Sequence, residues 1–163
     1  MKFKKGIFLF LALLLPIGIF VFLKLFGKNE FAVEALYQKD YPKVLTGCQK
    51  IDKLPYFVPD SVLDRVNTRG DSLAVIFFGS LEGEQLNQYK RVLADAVVDD
   101  ITVINLEVSD RATLWKRCVF FLGDSLDVAM VDAKGTIRGN YLAGDRDDID
   151  RLLTEIAIIL KKY

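Results

Sequence analysis

Apolar positions follow three different rhythms along this chain. Residues 6–23 form an unbroken uncharged run. From residue 73 onward, short continuous apolar blocks alternate with stretches where apolar residues recur every three or four positions. LAVIFF (Leu73–Phe78) reads as a strand buried on both faces. It turns at Gly79 and Ser80 and enters a helix with an apolar face of Leu86, Tyr89, Leu93 and Val97, which Asp99 and Asp100 end. ITVINLEV (Ile101–Val108) reads as a second doubly buried strand, and Ser109 or Asp110 caps a helix that holds Leu114, Trp115 and Cys118. Leu126–Asp132 and Thr136–Leu142 flank a tight turn at Ala133, Lys134 and Gly135 and read as an antiparallel hairpin.

The last helix is the clearest. Asp145 caps it, and its apolar face is Ile149, Leu152, Leu153, Ile156, Ile159 and Leu160. Asp147 and Asp148 load its N-terminal end, and Lys161 and Lys162 load the other. A shorter helix is expected after Asp60, with Val62, Leu63 and Val66 inward, followed by a turn at Arg69, Gly70 and Asp71. The order βαβα followed by ββα predicts an α/β fold, a thioredoxin-like βαβαββα sandwich.

The N-terminal run has a different meaning. Lys2, Lys4 and Lys5 precede it, and Lys24 follows it. With Leu25 and Phe26 it reaches the roughly 20 apolar residues that a bilayer requires. It is longer than a signal-peptide core, and no small-x-small cleavage site follows. Residues 1–26 are therefore expected to be a cytoplasmic start and an uncleaved transmembrane helix, with residues 7–26 in the bilayer. Pro16 would kink it modestly, as membrane helices tolerate. The three lysines put the N-terminus in the cytoplasm and the rest of the chain outside. Residues 27–59, broken by Pro42, Pro55 and Pro59, are expected to be a tether that packs on the domain as short extended pieces. Residues 60–163 form the domain.

Composition narrows the chemistry. Lysine plus arginine is 22 and aspartate plus glutamate is 22, so there is no basic excess to attract nucleic acid. There is no histidine, which removes the commonest general base and metal ligand. Two cysteines, Cys48 and Cys118, lie far apart with no CxxC or zinc spacing. If both face one gap, an outward compartment would favour a disulfide. The alternative is one buried small side chain and one loop thiol.

In α/β proteins chemistry gathers where such a strand ends and a helix begins. Here that place holds Leu81, Glu82, Gly83, Glu84 and Gln85, with no cysteine and no phosphate-cradling glycine pattern. Glu82 and Glu84 could act as an acid/base pair, but carboxylates at a helix start are more simply favoured by the helix dipole. Asp145, Asp147, Asp148 and Asp150 are acidic like a calcium loop, yet lack its spaced Gly and Glu and read as capping. Trp115 is either a docking aromatic or core.

The stretch VDAKGTIRGNYLAGDRDDIDRLLTEI (Val131–Ile156) is similar to the end of Sco proteins (SenC type). There a strand, an Asp-x-x-Gly turn, Ile-Arg-Gly-x-Tyr and a helix of the form Asp-x-x-x-Leu recur. YFVPD (Tyr56–Asp60) resembles the lead into that domain, and LAVIFFGS resembles the strand that delivers its active loop. The resemblance covers roughly residues 55–160. It implies an anchored thioredoxin fold on the outer side of the membrane, serving the copper site of cytochrome c oxidase by copper delivery or thiol reduction. The family's ligands are a Cys-x-x-x-Cys pair after the first core strand and a histidine before the hairpin. The pair would fall within Leu81–Leu86 and the histidine near Asp124 or Ser125, and neither is present. Thioredoxin-like oxidoreductases also place a cis-proline opposite their cysteines, whereas every proline here lies at or before Pro59. The resemblance thus implies a degenerate member with a vestigial loop at Leu81–Gln85, no catalytic or metal residues and no cofactor. Its expected role is a non-catalytic interaction or scaffold in respiratory oxidase assembly. Its partners would be the bilayer and oxidase subunits or assembly factors. Two alternatives stand beside it: thiol or copper handling by Cys48 and Cys118, and a general envelope interaction module.

Overall fold

The computed structural model describes residues 14–22, 24, 32–66, 72–96 and 101–160. The chain divides into two compact units, residues 1–32 and 33–163. In the first, residues 14–22 and 24 are helical (α1), and the apolar side chains Leu15, Ile17, Ile19 and Phe20 are exposed. Among the described residues no helix is long and apolar enough to cross a membrane. Half of the expected span, residues 7–13, 23, 25 and 26, lies outside them, as do residues 1–6 and 27–31. So do Arg69–Asp71, Val97, Asp99, Asp100, Lys161 and Lys162.

The second unit is an α/β domain built on β1 (Leu73–Phe78), β2 (Ile101–Leu106), β3 (Val128–Asp132) and β4 (Ile137–Tyr141). The sheet is mixed, in the order β2-β1-β3-β4. β1 and β2 run parallel, with Leu73 opposite Ile101 and Phe78 opposite Leu106. β3 is antiparallel to both β1 and β4. The helices are α2 (Asp60–Leu63), α3 (Gly83–Ala96), α4 (Asp110–Cys118) and α5 (Arg146–Ile159). This order is compatible with a thioredoxin-like fold.

All six side chains of β1 are buried. Alternation along the strand sends Leu73, Val75 and Phe77 to one face and Ala74, Ile76 and Phe78 to the other. On the first face they meet Val128, Met130 and Tyr141, with Val92 of α3 and Ile149, Leu152 and Ile156 of α5. On the second they meet Ala129, Val131 and Ile137, with Val62, Leu63, Phe120 and Leu122. Full burial of each large apolar side chain contributes about 1.5–3 kcal/mol.

Residues 33–59 complete that second face. Their backbone bonds to the hairpin through Leu36 N to Ile137 O (2.8 Å) and Val58 N to Gly135 O (2.8 Å). The Arg138 guanidinium donates to Val33 O (3.3 Å). Tyr37 and Tyr56 pack edge-on to Phe121, with ring centroids 5.5 and 4.9 Å apart. Tyr37 and Phe121 both hold positive φ, 57° and 53°, which bulky side chains rarely adopt. The aromatic packing, and a hydrogen bond from Tyr56 Oη to Val119 O (3.0 Å), hold these residues in place.

Several local readings need correction. The buried face of α3 is Gln88 and Val92 with half-buried Tyr89, while Leu93 is 40% exposed. The apolar pattern misled because Gln88 is buried with its amide donating to Glu84, one turn earlier. Leu114 points outward at 56% exposure, and Ala112 takes the buried place. Trp115 is half-buried against the core. β2 is half-buried throughout, because it is an edge strand rather than a central one. Asp60 begins α2 but caps nothing by its side chain; Pro59 stands at the cap position. Ser109 caps α4 by accepting from Ala112 N, and Asp145 caps α5.

The hairpin is fixed by one carboxylate. Asp132, 7% exposed, accepts from Lys134 N and Thr136 N at 2.9 Å each, and from Arg138 Nε at 2.9 Å. A bulge between Met130 and Val131 then turns Ile137 to one face of the sheet and Tyr141 to the other. Gly135, at φ 80°, lies so close to residue 58 that a Cβ would stand 2.9 Å from Val58 O. Asp132→Ala leaves two backbone donors and a guanidinium without their acceptor. Urea unfolding of the full chain is expected to show a loss of about 2–4 kcal/mol.

Candidate functional site

The carboxyl ends of the two parallel strands meet the start of α3, the length of α4 and the loop before β3. Phe78 N donates to Asp127 O (2.8 Å) and Gly79 N to Leu106 O (2.9 Å), which fixes the strand ends to one another. The chain then turns through Gly79 (φ 113°) and Gly83 (φ 52°), both in the left-handed region, and enters α3. Leu81 packs against the core, while Glu82, Gly83 and Glu84 are exposed.

Two residues of this loop have a local task. Glu84 accepts from the amides of Gln88 and, at 3.4 Å, Asn87. These bonds hold its carboxyl below the ordinary range. Gln85 reaches across the fold, donating from Nε2 to Asp127 Oδ2 at 3.2 Å. The other oxygen of Asp127 accepts from Ala143 N at 2.6 Å. Asp127 therefore joins the start of α3 and the loop before α5 through its half-buried carboxyl, and the end of β1 through its backbone carbonyl. Burial pushes the Asp127 carboxyl above its ordinary value of 3.8, opposed by the Ala143 N–H and by the nearby Lys116 ammonium.

Beside this junction a cleft of about 310 Å³ opens. α4 lines it with Ala112, Thr113, Lys116 and Arg117, positions that share one helical face. The strand ends supply Phe78 and Val108, and the following loop supplies Leu122 and Asp124. Asp124, near which the resemblance would place a histidine, lines this cleft, whose walls are cationic and apolar. Among the described residues no three His, Cys, Asp or Glu side chains gather as a metal-binding group.

Cys48 and Cys118 are joined in a disulfide with Cα atoms 5.2 Å apart. It ties residues 33–59 to the C-terminal end of α4. Both cysteines are half-buried and line a shallow pocket with Gly47, Leu114 and Arg117. Thr113 and Arg117 border this pocket and the cleft alike. The acidic residues Asp145, Asp147 and Asp148 do capping work: Asp145 accepts from Asp147 N, and Asp148 accepts from Leu142 N and pairs with Arg151.

Sequence reasoning missed Asp127, Lys116 and Arg117. Asp127 reads as an ordinary residue at a strand start, and its partner Gln85 is 42 positions away. The spacing of Thr113, Lys116 and Arg117 was the one available signal, and it reads equally as a basic helix end favoured by the dipole. No protein-family model matches the chain, and no curated protein matches it either.

Two outcomes follow from this geometry. The raised Asp127 carboxyl favours its protonated form in the folded state, so the folded protein binds more protons than the unfolded one between 3.8 and the raised value. Stability is expected to fall as pH rises through that window. Asp127→Asn is expected to flatten that slope, read from urea midpoints across pH 3–7 (~one-unit steps). The disulfide closes a loop of 70 residues. Replacing both cysteines by alanine is expected to cost about 4 kcal/mol on the chain-entropy account, measured by the same unfolding.

Proposed function

We propose that the chain is a membrane-anchored, thioredoxin-like protein of Sco type that works by protein contact, in the assembly of a respiratory cytochrome oxidase. One observation carries the non-catalytic part. Where Sco proteins carry paired cysteines, Gln85 is bonded to Asp127, and both cysteines of the chain are engaged in a disulfide at the far end of α4. The sheet order β2-β1-β3-β4 supports the finer fold assignment. The exposed apolar side chains of residues 14–22 support insertion of the N-terminal run in lipid. The disulfide supports an outward, oxidising location.

A second reading has its own observation. The Cys48–Cys118 disulfide is half-buried rather than enclosed and lies beside Arg117, a cation that would favour a thiolate. On that reading the pair itself exchanges thiols or holds copper(I). A general envelope contact module is the third, and it needs only the same surface.

Purification of the full-length, tagged chain from its own membranes, with co-purifying proteins identified by mass spectrometry, separates these readings. Oxidase subunits or copper-handling proteins are expected. Recovery without any of them would sink the assembly role and leave a general contact module. Thiol titration and copper(I) competition on the same preparation address the second reading. An uncycled disulfide and no retained copper end it.

A further inference from the structure

The cleft at the end of β1 has chemistry that folding does not use. Arg91, Arg138 and Arg151 each pair with a carboxylate, on Asp150, Asp132 and Asp148 respectively. Arg117 has no such partner among the described residues. Lys116 is close enough to Asp127 to act on its carboxyl but forms no ion pair with it. Both cations line the same cleft as Phe78 and Leu122, which are core residues, and as Val108, which is 71% exposed. An exposed valine beside unpaired cations is a surface that an apolar anion would cover. The cleft also has room: a Cβ added at Gly79 or Gly123 would meet nothing within 4 Å. Its volume, about 310 Å³, is at the small end of ligand pockets.

We propose that this cleft binds an apolar monocarboxylate. Arg117 and Lys116 take the carboxylate, and Val108 with the exposed edge of Phe78 takes the apolar body. The guanidinium fork matches a planar carboxylate with two parallel N–H···O bonds. Charge selects a monoanion over a phosphate dianion. Lys116 and Arg117 contribute two positive charges and Asp124 one negative, so the lining carries a single net positive charge. Asp127 beside Lys116 opposes a second negative charge further. The carboxylate belongs either to a small free acid or to the C-terminus of a peptide ending in an apolar residue. This assignment rests on the cleft alone and is independent of the anchor and of any respiratory role.

Calorimetric titration of the full chain in non-ionic detergent tests it. The probes are phenylacetate, phenylacetamide, a tetrapeptide ending in Val-Leu with a free carboxylate, and the same peptide amidated. Saturable binding of phenylacetate, the free peptide or both is expected, with the one that binds identifying the source. The uncharged amides are expected to bind at least about tenfold more weakly, as loss of a charge-assisted hydrogen bond implies. Arg117→Glu with Lys116→Glu is expected to abolish the difference between acid and amide. Gly123→Val is expected to weaken every probe by filling the cleft, at a position where no positive φ forbids a side chain. Far-UV circular dichroism checks that both variants fold. Equal binding of acid and amide, unchanged acid binding in the folded double-charge variant, or no saturable binding of either acid at millimolar concentration would each overturn the assignment.

Discussion

A strand with six consecutive buried side chains cannot belong to a sheet with one wet face. β1 imposes that condition, and the rest of the domain answers it. α3 and α5 cover one face with full-length amphipathic helices of 14 residues each. The other face has only α4, of nine residues, and the single turn of α2. Two short helices do not cover what two long ones cover. The segment 33–59 makes up the difference, with Val58 in the core and Leu36, Tyr37, Ile51 and Tyr56 packed against it. This explains why a segment without regular secondary structure is bonded to the hairpin and tied by a disulfide to α4. An irregular segment loses more conformational entropy per contact than a helix does, and a covalent tie reduces that cost by restricting the unfolded chain.

The same imbalance shapes the strand ends. On the face covered by α3 and α5, the termini of both helices converge on Asp127, and the carboxyl closes the corner. On the thin face, α4 carries Ala112, Thr113, Lys116 and Arg117 along the strand ends without a second helix to cover them. The cleft opens there because the layer is incomplete there. Its lining is therefore a consequence of architecture, and among the described residues Lys116 and Arg117 form no ion pair with the carboxylates nearby.

Much of this fold was legible in the sequence, for reasons that particular residues illustrate. β1 and β3 are nearly uninterrupted apolar blocks, and α5 declares itself by the Asp145 cap and an apolar stripe ending in Ile159. Sequence patterns record burial and local turn chemistry, and these elements depend on little else. The misreadings share a different cause. Gln88 is polar yet buried, because its partner Glu84 sits one turn away. β2, broken only by Thr102 and Asn105, reads like β1 yet lies at the edge, because strand order is a property of the whole chain. The bulge at Met130 and Val131 sends Ile137 and Tyr141 to opposite faces, which their four-residue spacing denies. That Leu81–Gln85 holds no cysteine or histidine is plain in the sequence. The junction formed there is not, since Gln85 and Asp127 meet only after folding.

The hairpin also clarifies what a sequence resemblance can mean. Asp132, Gly135, Arg138, Gly139 and Tyr141 are the residues that most suggest a Sco protein, and each has a folding task here. Asp132 gathers two backbone N–H groups and a guanidinium. Gly135 lets residue 58 approach. Gly139 leaves space for Tyr141, whose hydroxyl would otherwise collide with a Cβ. Tyr141 crosses to Glu155 of α5, and burial with that carboxylate keeps its hydroxyl protonated far above neutral pH. Residues retained for these reasons would persist in any protein that keeps this hairpin on this sheet, whatever it does at the strand ends. The likeness lies in the hairpin, and the cleft at the strand ends is lined by other residues, those of α4 and of the loops beside it.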